Sequence, residues 1–249
     1  METKVLPPLT PSTLYLIATP IGNMEDITLR ALRVLKECDV VAAEDTRHTG
    51  QLLHFYGISK PMVSYFRFNE QRRSEEILER LGRSEKVALV VDSGSPGISD
   101  PGERVVRAAR DAGFRVEPVP GPCALVAALT ASGLPTEEFH FGGFLPHKSG
   151  QRRRELERLR ELPGTLVLYE SPHRLERLLG ELVDTMPHRL VVVAREITKK
   201  FEEFLRGTPA ALLEIAKKRP LRGELVVMVG QNPIDDKGLV TDIPVAEQP

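Results

Sequence analysis

The stretch VALVVDSGSPGISDPG, residues 87–102, decides the fold class. Val87–Val91 is apolar at every position, as expected of a strand buried on both faces rather than a half-exposed antiparallel one. The strand stops at Asp92, and the loop behind it carries Gly94, Gly97 and Gly102, which let backbone approach a ligand, with Pro96 and Pro101 to stiffen it. A rigid connection of this length is unusual as a plain turn. In open α/β sheets, ligands sit beyond the carboxyl ends of the strands. Asp100 is expected to cap a helix that starts at Pro101. A Cβ at Gly94 or Gly97 is expected to clash or to forbid the dihedrals the loop needs.

The same rhythm runs outward in both directions. Leu14–Thr19, Asp39–Ala43, Pro61–Phe66 and Arg115–Val119 read as further strands, with helical spacing over Thr28–Lys36 and around Glu75–Leu81. After Val-Pro-Gly-Pro (119–122) a small-residue helix follows over Cys123–Ser132. A second series then begins: strands at Phe139–Leu145, Thr165–Tyr169, Arg189–Ala194 and Glu224–Val229, and helices at Arg152–Leu162, Pro172–Val183 and Pro209–Lys218. Alternating strands and helices predict α/β architecture with mainly parallel sheets. The expected division is an irregular lead over residues 1–12, one α/β domain over 13–119, a second over 120–231, and a tail over 232–249.

Composition narrows the function classes. The 249 residues carry 34 basic and 35 acidic side chains, a net charge of −1, which excludes a uniformly basic nucleic-acid binder. The charge is 16 basic and 17 acidic up to Pro120 and 18 of each after it, so any binding patch must be local. No run approaches the ~18 apolar residues of a membrane span. METKVLPPLTPS has no secretory pattern, and a cytoplasmic, non-membrane protein is expected. Cys38 and Cys123 have no metal or redox spacing, and the six histidines form no H-x-x-x-H, so no metal site is expected. G-x-G-x-x-G after the first strand, a Walker A loop and a G-x-S-x-G elbow are all absent.

The most distinctive local charge is KSGQRRRELERLR, Lys148–Arg160, with six basic and two acidic residues. Arg152, Arg153 and Arg154 are consecutive and spread around a helix. Such a run is either a solvated face or a phosphate contact.

Taken together, ATPIGN (18–23), DITLRAL (26–32), AAEDTRHT (42–49), DSGSPGISDPG (92–102), PGPCAL (120–125), GFLPHK (143–148), YESPHR (169–174), AREITK (194–199) and GELV (223–226) resemble the tetrapyrrole methylase superfamily, in its rRNA 2′-O-ribose methyltransferase branch. The family's D-A-G-T-P is Asp92-Ser-Gly-Ser-Pro96 here, and its P-G-P-S is Pro120-Gly-Pro-Cys123. The resemblance implies two α/β domains of the class III methyltransferase type with the ligand cleft between them. It also implies S-adenosylmethionine as methyl donor, a homodimer, and a cytidine ribose in the decoding region of 16S rRNA, on the 30S subunit, as acceptor.

Loops that bring backbone close to the donor are expected at Pro20, Asp92, Gly94, Ser95, Pro96, Gly97, Cys123 and Ala124, with Tyr169 and Ala194 from the second half. A 2′-hydroxyl is a poor nucleophile until its proton leaves, so a base, or a cation for the developing oxyanion, should lie near it. Glu44, Asp45, Glu170, Arg195, Glu196 and Lys199 all follow strands and are the candidates, with no choice among them. Arg47, Lys148, Arg152, Arg153, Arg154 and Lys200 are the candidate RNA contacts. Two alternatives remain open: a tetrapyrrole-precursor methylase of the same fold, and a non-catalytic RNA-binding assembly factor.

Overall fold

A computed structural model describes residues 7–233. The chain divides into two compact units between Cys123 and Ala124.

The first unit contains strands β1 (Thr13–Ile17), β2 (Val40–Ala43), β3 (Met62–Ser64), β4 (Lys86–Val90) and β5 (Arg115–Val119). They form one sheet in the order β3-β2-β4-β1-β5, and every pairing is parallel. Four helices cover it: α1 (Leu29–Glu37), α2 (Thr46–Phe55), α3 (Glu70–Gly82) and α4 (Glu103–Asp111). Tyr15, Ile17, Val41, Ala43, Ala88 and Val90 pack with α1 and α2 on one face. Leu14, Val40, Ala42, Val87 and Leu89 pack with α3 and α4 on the other. The unbroken apolar runs of β2 and β4 follow from this, because both faces are buried.

Helix starts are set by local chemistry. The Thr28 hydroxyl caps α1 by accepting from the Ala31 amide at 3.1 Å. The expected cap at Asp100 does not form: α4 starts at Glu103, its N-cap is Gly102 at φ 144°, and no side chain caps it. A Cβ on Gly102 would lie 3.2 Å from the Gly97 nitrogen, so the loop's tight packing, not Asp100, sets the start of the helix. Helix α2 escapes the sequence reading because TRHTGQLLHF buries only Thr49, Leu52 and Leu53.

The second unit is mixed, which corrects the expectation of a mainly parallel sheet. It opens with α5 (Ala124–Ser132). Strands β6 (Phe139–Phe144), β7 (Thr165–Glu170), β8 (Arg189–Arg195), β9 (Glu203–Gly207) and β10 (Leu225–Pro233) follow, in the order β6-β7-β10-β8-β9. Only β6 and β7 pair in parallel. Strand β9 is a five-residue edge strand in which Glu203 and Arg206 flank only two apolar residues, so it gives no apolar run in the sequence. Strand β10 reaches Pro233, into the proposed tail; residues 234–249, like residues 1–6 of the lead, lie outside the described residues. Helices α6 (Ser149–Arg160), α7 (Pro172–Thr185) and α8 (Pro209–Lys218) cover one face through a leucine-rich core, while α5 packs against β10 and β8.

Within that core lies a charge. Arg152 is 1% exposed, and its Nε and Nη2 donate to Glu181 at 2.6 and 2.9 Å, from α6 to α7. Arg152 is therefore not a phosphate contact, which corrects its place among the RNA candidates. It shares the inward stripe with Leu156 and Leu159, both buried. Arg153 and Arg154 stay exposed, one paired with Glu157 at 3.2 Å and the other donating to the Gly150 carbonyl.

Removing one member of a buried pair leaves the other charge poorly compensated. Arg152→Ala should cost about 3 kcal/mol, read as a shift in the urea midpoint. Arg153→Ala should stay within about 0.5 kcal/mol of wild type.

Candidate active site

In the first unit, the connections after β1 and β2 lead to α1 and α2 on one face, while the connection after β4 leads to α4 on the other. Strand β4 is thus flanked on both sides by loops that diverge from its own. Such a topological switch opens a crevice at the carboxyl edge.

On the β1 side, the loops are tied together. The Thr19 amide donates to the Gly94 carbonyl at 2.9 Å, and the Gly94 amide returns a bond to Thr19 at 3.1 Å. The buried Thr19 hydroxyl donates to the Val91 carbonyl at 3.0 Å. Ser95 Oγ donates to the Pro122 carbonyl at 3.2 Å, so the loop after β5 joins the same cluster. A Cβ on Gly121 would sit 3.0 Å from that of Ala18. Gly94, at φ 83°, occupies the left-handed region that favours glycine. Its Cβ would meet nothing closer than Ile21 at 3.6 Å, and that of Gly97 nothing closer than 4.0 Å. The constraint at both positions is therefore the dihedral, and the expected collision is absent. These loops bring together Pro20, Asp92, Gly94, Ser95, Pro96 and Gly97, with Cys123 at the unit's end. Thr19 and Gly121 belong with them and were not singled out by the sequence.

On the β2 side lies a pocket of about 720 Å³ whose lining includes Glu44, Arg67, Glu70, Asp100 and Arg104. Glu44 Oε2 accepts from the Asp92 amide at 3.3 Å, and Asp92 Oδ1 accepts from the Asp45 amide at 3.1 Å. Burial pushes the Glu44 carboxyl above its usual range, with Asp92 adding to the rise against a lowering backbone bond. Asp100 is pushed up to about 6, first by partial burial, then by the charges of Glu44 and Asp92. Nothing in the sequence marked Asp100 as more than a cap. Its position in the loop after β4 was the available signal.

Asp45 has a different task. It caps α2, accepting from the Arg47 amide at 2.8 Å, and its Oδ2 pairs with the Arg47 guanidinium, also at 2.8 Å. The bonds from Arg47 hold the Asp45 carboxyl down to about 2, a setting in which it accepts a proton poorly. Arg47 itself remains solvent-facing.

In the second unit, one sheet end collects the other candidates. Leu225 on β10 is opposite both Glu170 and Arg195, and Arg195 is opposite Glu203. The loop after β8 has two non-glycine residues in the left-handed region, Glu196 at φ 49° and Thr198 at φ 67°. Strain of this kind concentrates at functional sites. Lys199 Nζ donates to Glu196 Oε1 at 3.0 Å and to Glu224 Oε2 at 2.9 Å. Burial opposes its charge, but the two carboxylates prevail and raise the lysine's pKa. Glu196 is likewise penalised by burial, yet the Glu224 amide and Lys199 hold it below the usual range. The Glu196 carboxyl lies over Gly223, where a Cβ would be 2.3 Å from its Cδ. Arg195 is committed to the Arg222 carbonyl at 3.1 Å and to Glu203 at 3.3 Å.

Glu170 is buried at the end of β7, where it accepts from the Ser171 amide at 2.8 Å and pairs with Arg174 at 3.2 Å. These contacts anchor the turn into α7. Tyr169 Oη accepts from the Leu125 amide at 3.1 Å, tying β7 to the first turn of α5 near Ala124. Ala194 is buried within the sheet. Lys148 and Lys200 are exposed, and Lys200 lies over the Phe201 ring at 5.8 Å.

The model of the Tetrapyrrole (Corrin/Porphyrin) Methylases matches residues 13–213. A ribosomal RNA small subunit methyltransferase I of Halalkalibacterium halodurans is 47% identical over 220 residues, 88% of this chain and 76% of that protein. One from Xylella fastidiosa is 47% identical over 236 residues, 94% of this chain and 86% of that protein. The chain belongs to the ribosomal RNA small subunit methyltransferase I family of tetrapyrrole methylases. Among solved structures, a diphthine synthase aligns with TM-score 0.69 at 18% identity, covering 89% of this chain and 91% of that one. A uroporphyrin-III C-methyltransferase from Thermus thermophilus, complexed with S-adenyl homocysteine, aligns with TM-score 0.62 at 23% identity, covering 88% and 97%. At those identities the likeness concerns the tetrapyrrole methylase fold alone.

The raised Asp100 carboxyl has a thermodynamic consequence. A group whose folded pKa is raised stabilises the fold below its unfolded pKa, and that contribution is lost as pH rises through the folded value. Between pH 4 and about 6 the proton is progressively lost at a cost. Asp100→Asn should therefore stabilise the protein at pH 8 by at most about 1 kcal/mol, since solvent screens this carboxyl. The gain should vanish near pH 4, as read from urea unfolding at both values.

Proposed function

We propose that this chain transfers the methyl group of S-adenosylmethionine to the ribose 2′-hydroxyl of a cytidine in the decoding region of 16S rRNA. In this reading it acts in the cytoplasm, as a homodimer, on the 30S subunit. The observation that carries the rRNA assignment is 47% identity, over 94% of the chain, to a protein named for small-subunit rRNA methylation. The resemblance of the AEDTRHT, YESPHR and AREITK segments supports the rRNA branch over the tetrapyrrole-precursor methylases.

The loops after β1, β4 and β5 fit the donor. Ala18, Thr19, Gly94, Ser95 and Gly121 leave little side-chain bulk, and a Cβ on Gly121 would close the approach to Ala18. The bound donor would supply an electrophilic methyl on a cationic sulfonium. The chain's part is to hold the loops rigid through the Thr19–Gly94 bridge and to keep the reacting atoms in line, from which much of the acceleration comes. At the second sheet end, Lys199 Nζ carries a firmly held positive charge suited to a developing 2′-oxyanion. Glu196 and Glu224 orient that ammonium, and Glu44, with its raised pKa, is the better proton acceptor of the two strand-end carboxylates after β2.

Calorimetry with S-adenosylmethionine and single-turnover methylation of 30S particles test the two halves separately. Gly94→Val should weaken donor binding by at least about 10-fold through the forbidden dihedral. Lys199→Ala should slow the single turnover by about 100-fold or more while donor affinity changes little, the pattern of a group acting mainly in the transition state. Glu196→Gln should slow turnover in the same way but less. Wild-type protein that binds the donor but leaves 16S ribose unmethylated would overturn the assignment.

A further inference from the structure

The segment Tyr65-Phe66-Arg67-Phe68-Asn69 connects β3 to α3 and sends its aromatic rings in opposite directions. Tyr65 is fully buried, and its hydroxyl donates to Glu70 Oε1 at 3.1 Å, which also accepts from the Gly102 amide at 3.2 Å. Phe68 is 90% exposed and Phe66 38%, with their rings edge-to-face at 6.3 Å. This exposure is built in. Asn69 Oδ1 accepts from the Phe66 amide at 2.9 Å, and its Nδ2 donates to the Ser64 carbonyl and hydroxyl at 3.2 and 3.1 Å. The loop is thereby fixed with the two phenylalanines outward.

The flanking cations are uncommitted. Arg73 and Arg80 pair with Glu76, whereas Arg67 and Arg72 have no carboxylate partner among the described residues. Phe68 and Arg72 line one groove of about 430 Å³, and Arg67 lines the pocket that holds Glu44 and Asp100. A rigid exposed ring offers a face for an unstacked base, and free guanidinium groups match the phosphates on either side. A duplex, whose bases are already stacked, has no use for such a ring.

We infer that Phe68, with Arg67 and Arg72, is a platform that stacks one unpaired base of the RNA substrate and grips its backbone at the rim of the Glu44–Asp100 pocket. The inference rests on the rRNA reading and names where the RNA is held. It also moves the RNA contact to the first unit, away from Lys148–Arg160.

The chain contains no tryptophan, so Phe68→Trp installs a single fluorophore at the platform. Titration with a short single-stranded oligocytidylate should quench it, while an RNA duplex and S-adenosylmethionine alone should not. Phe68→Ala should weaken binding of the same oligonucleotide about 10-fold, and Phe68→Tyr should retain it. Arg72→Gln should lower the salt slope of binding by about 1. Unchanged donor calorimetry certifies that each variant is folded. Equal affinity of Phe68→Ala and wild type for the oligonucleotide overturns the platform. So does a loss confined to the 30S particle, which would make this face a contact for a ribosomal protein. If wild-type protein methylates no 16S ribose, the functional reading fails. If it does so and Phe68→Ala matches it in KM, only the platform fails.

Discussion

Strand β4 leaves its sheet toward one face while its two neighbours leave toward the other, and the chemistry of the first unit depends on that divergence. It follows from the strand order and the right-handedness of parallel crossovers, which put helices reached in opposite directions on opposite faces. On one side of β4 the gap is laced by the Thr19–Gly94 bridge and the Ser95–Pro122 bond, giving a rigid wall of small residues. On the other it stays open as a charged pocket. The same strand end thus carries two environments: one a tight wall of small residues, the other a pocket of ionisable side chains.

Charge is handled differently in the two units. In the pocket, burial, reinforced by the charge of neighbouring carboxylates, leaves Glu44 and Asp100 holding protons more readily than in water. In the second unit the buried Arg152 and Glu170 pair with Glu181 and Arg174, and the half-buried Lys199 pairs with Glu196 and Glu224. The first two pairs tie α6 to α7 and β7 to α7, so they serve the fold. The third lies on a loop with two left-handed non-glycine residues, where conformational strain is maintained by the surrounding hydrogen bonds.

The arginine run shows how local charge misleads when read without its face. KSGQRRR reads as a basic patch, yet Arg152 lies four and seven residues before Leu156 and Leu159 and follows them inward. That spacing was legible in the sequence; that Glu181 waits on α7 to receive the charge was not. Asp45 is a similar case. It follows a strand as a catalytic carboxylate would, but the helix it precedes turns it into a cap. In the opposite direction, Phe66 reads as the apolar end of a strand, and only the Asn69 bonds and the burial of Tyr65 reveal it, with Phe68, as a surface.

The sequence alone determined the α/β class, nearly every strand and helix, and the glycine- and proline-rich loops, because these follow from periodicity and backbone chemistry within a few residues. Only the tertiary structure decided the antiparallel pairings of the second sheet, the edge strand β9, which carboxylates are crowded and which are paired, and which arginines face water. Each of these depends on contacts between residues far apart in the chain. A side chain's pKa and exposure are properties of its neighbours, and local spacing does not encode them.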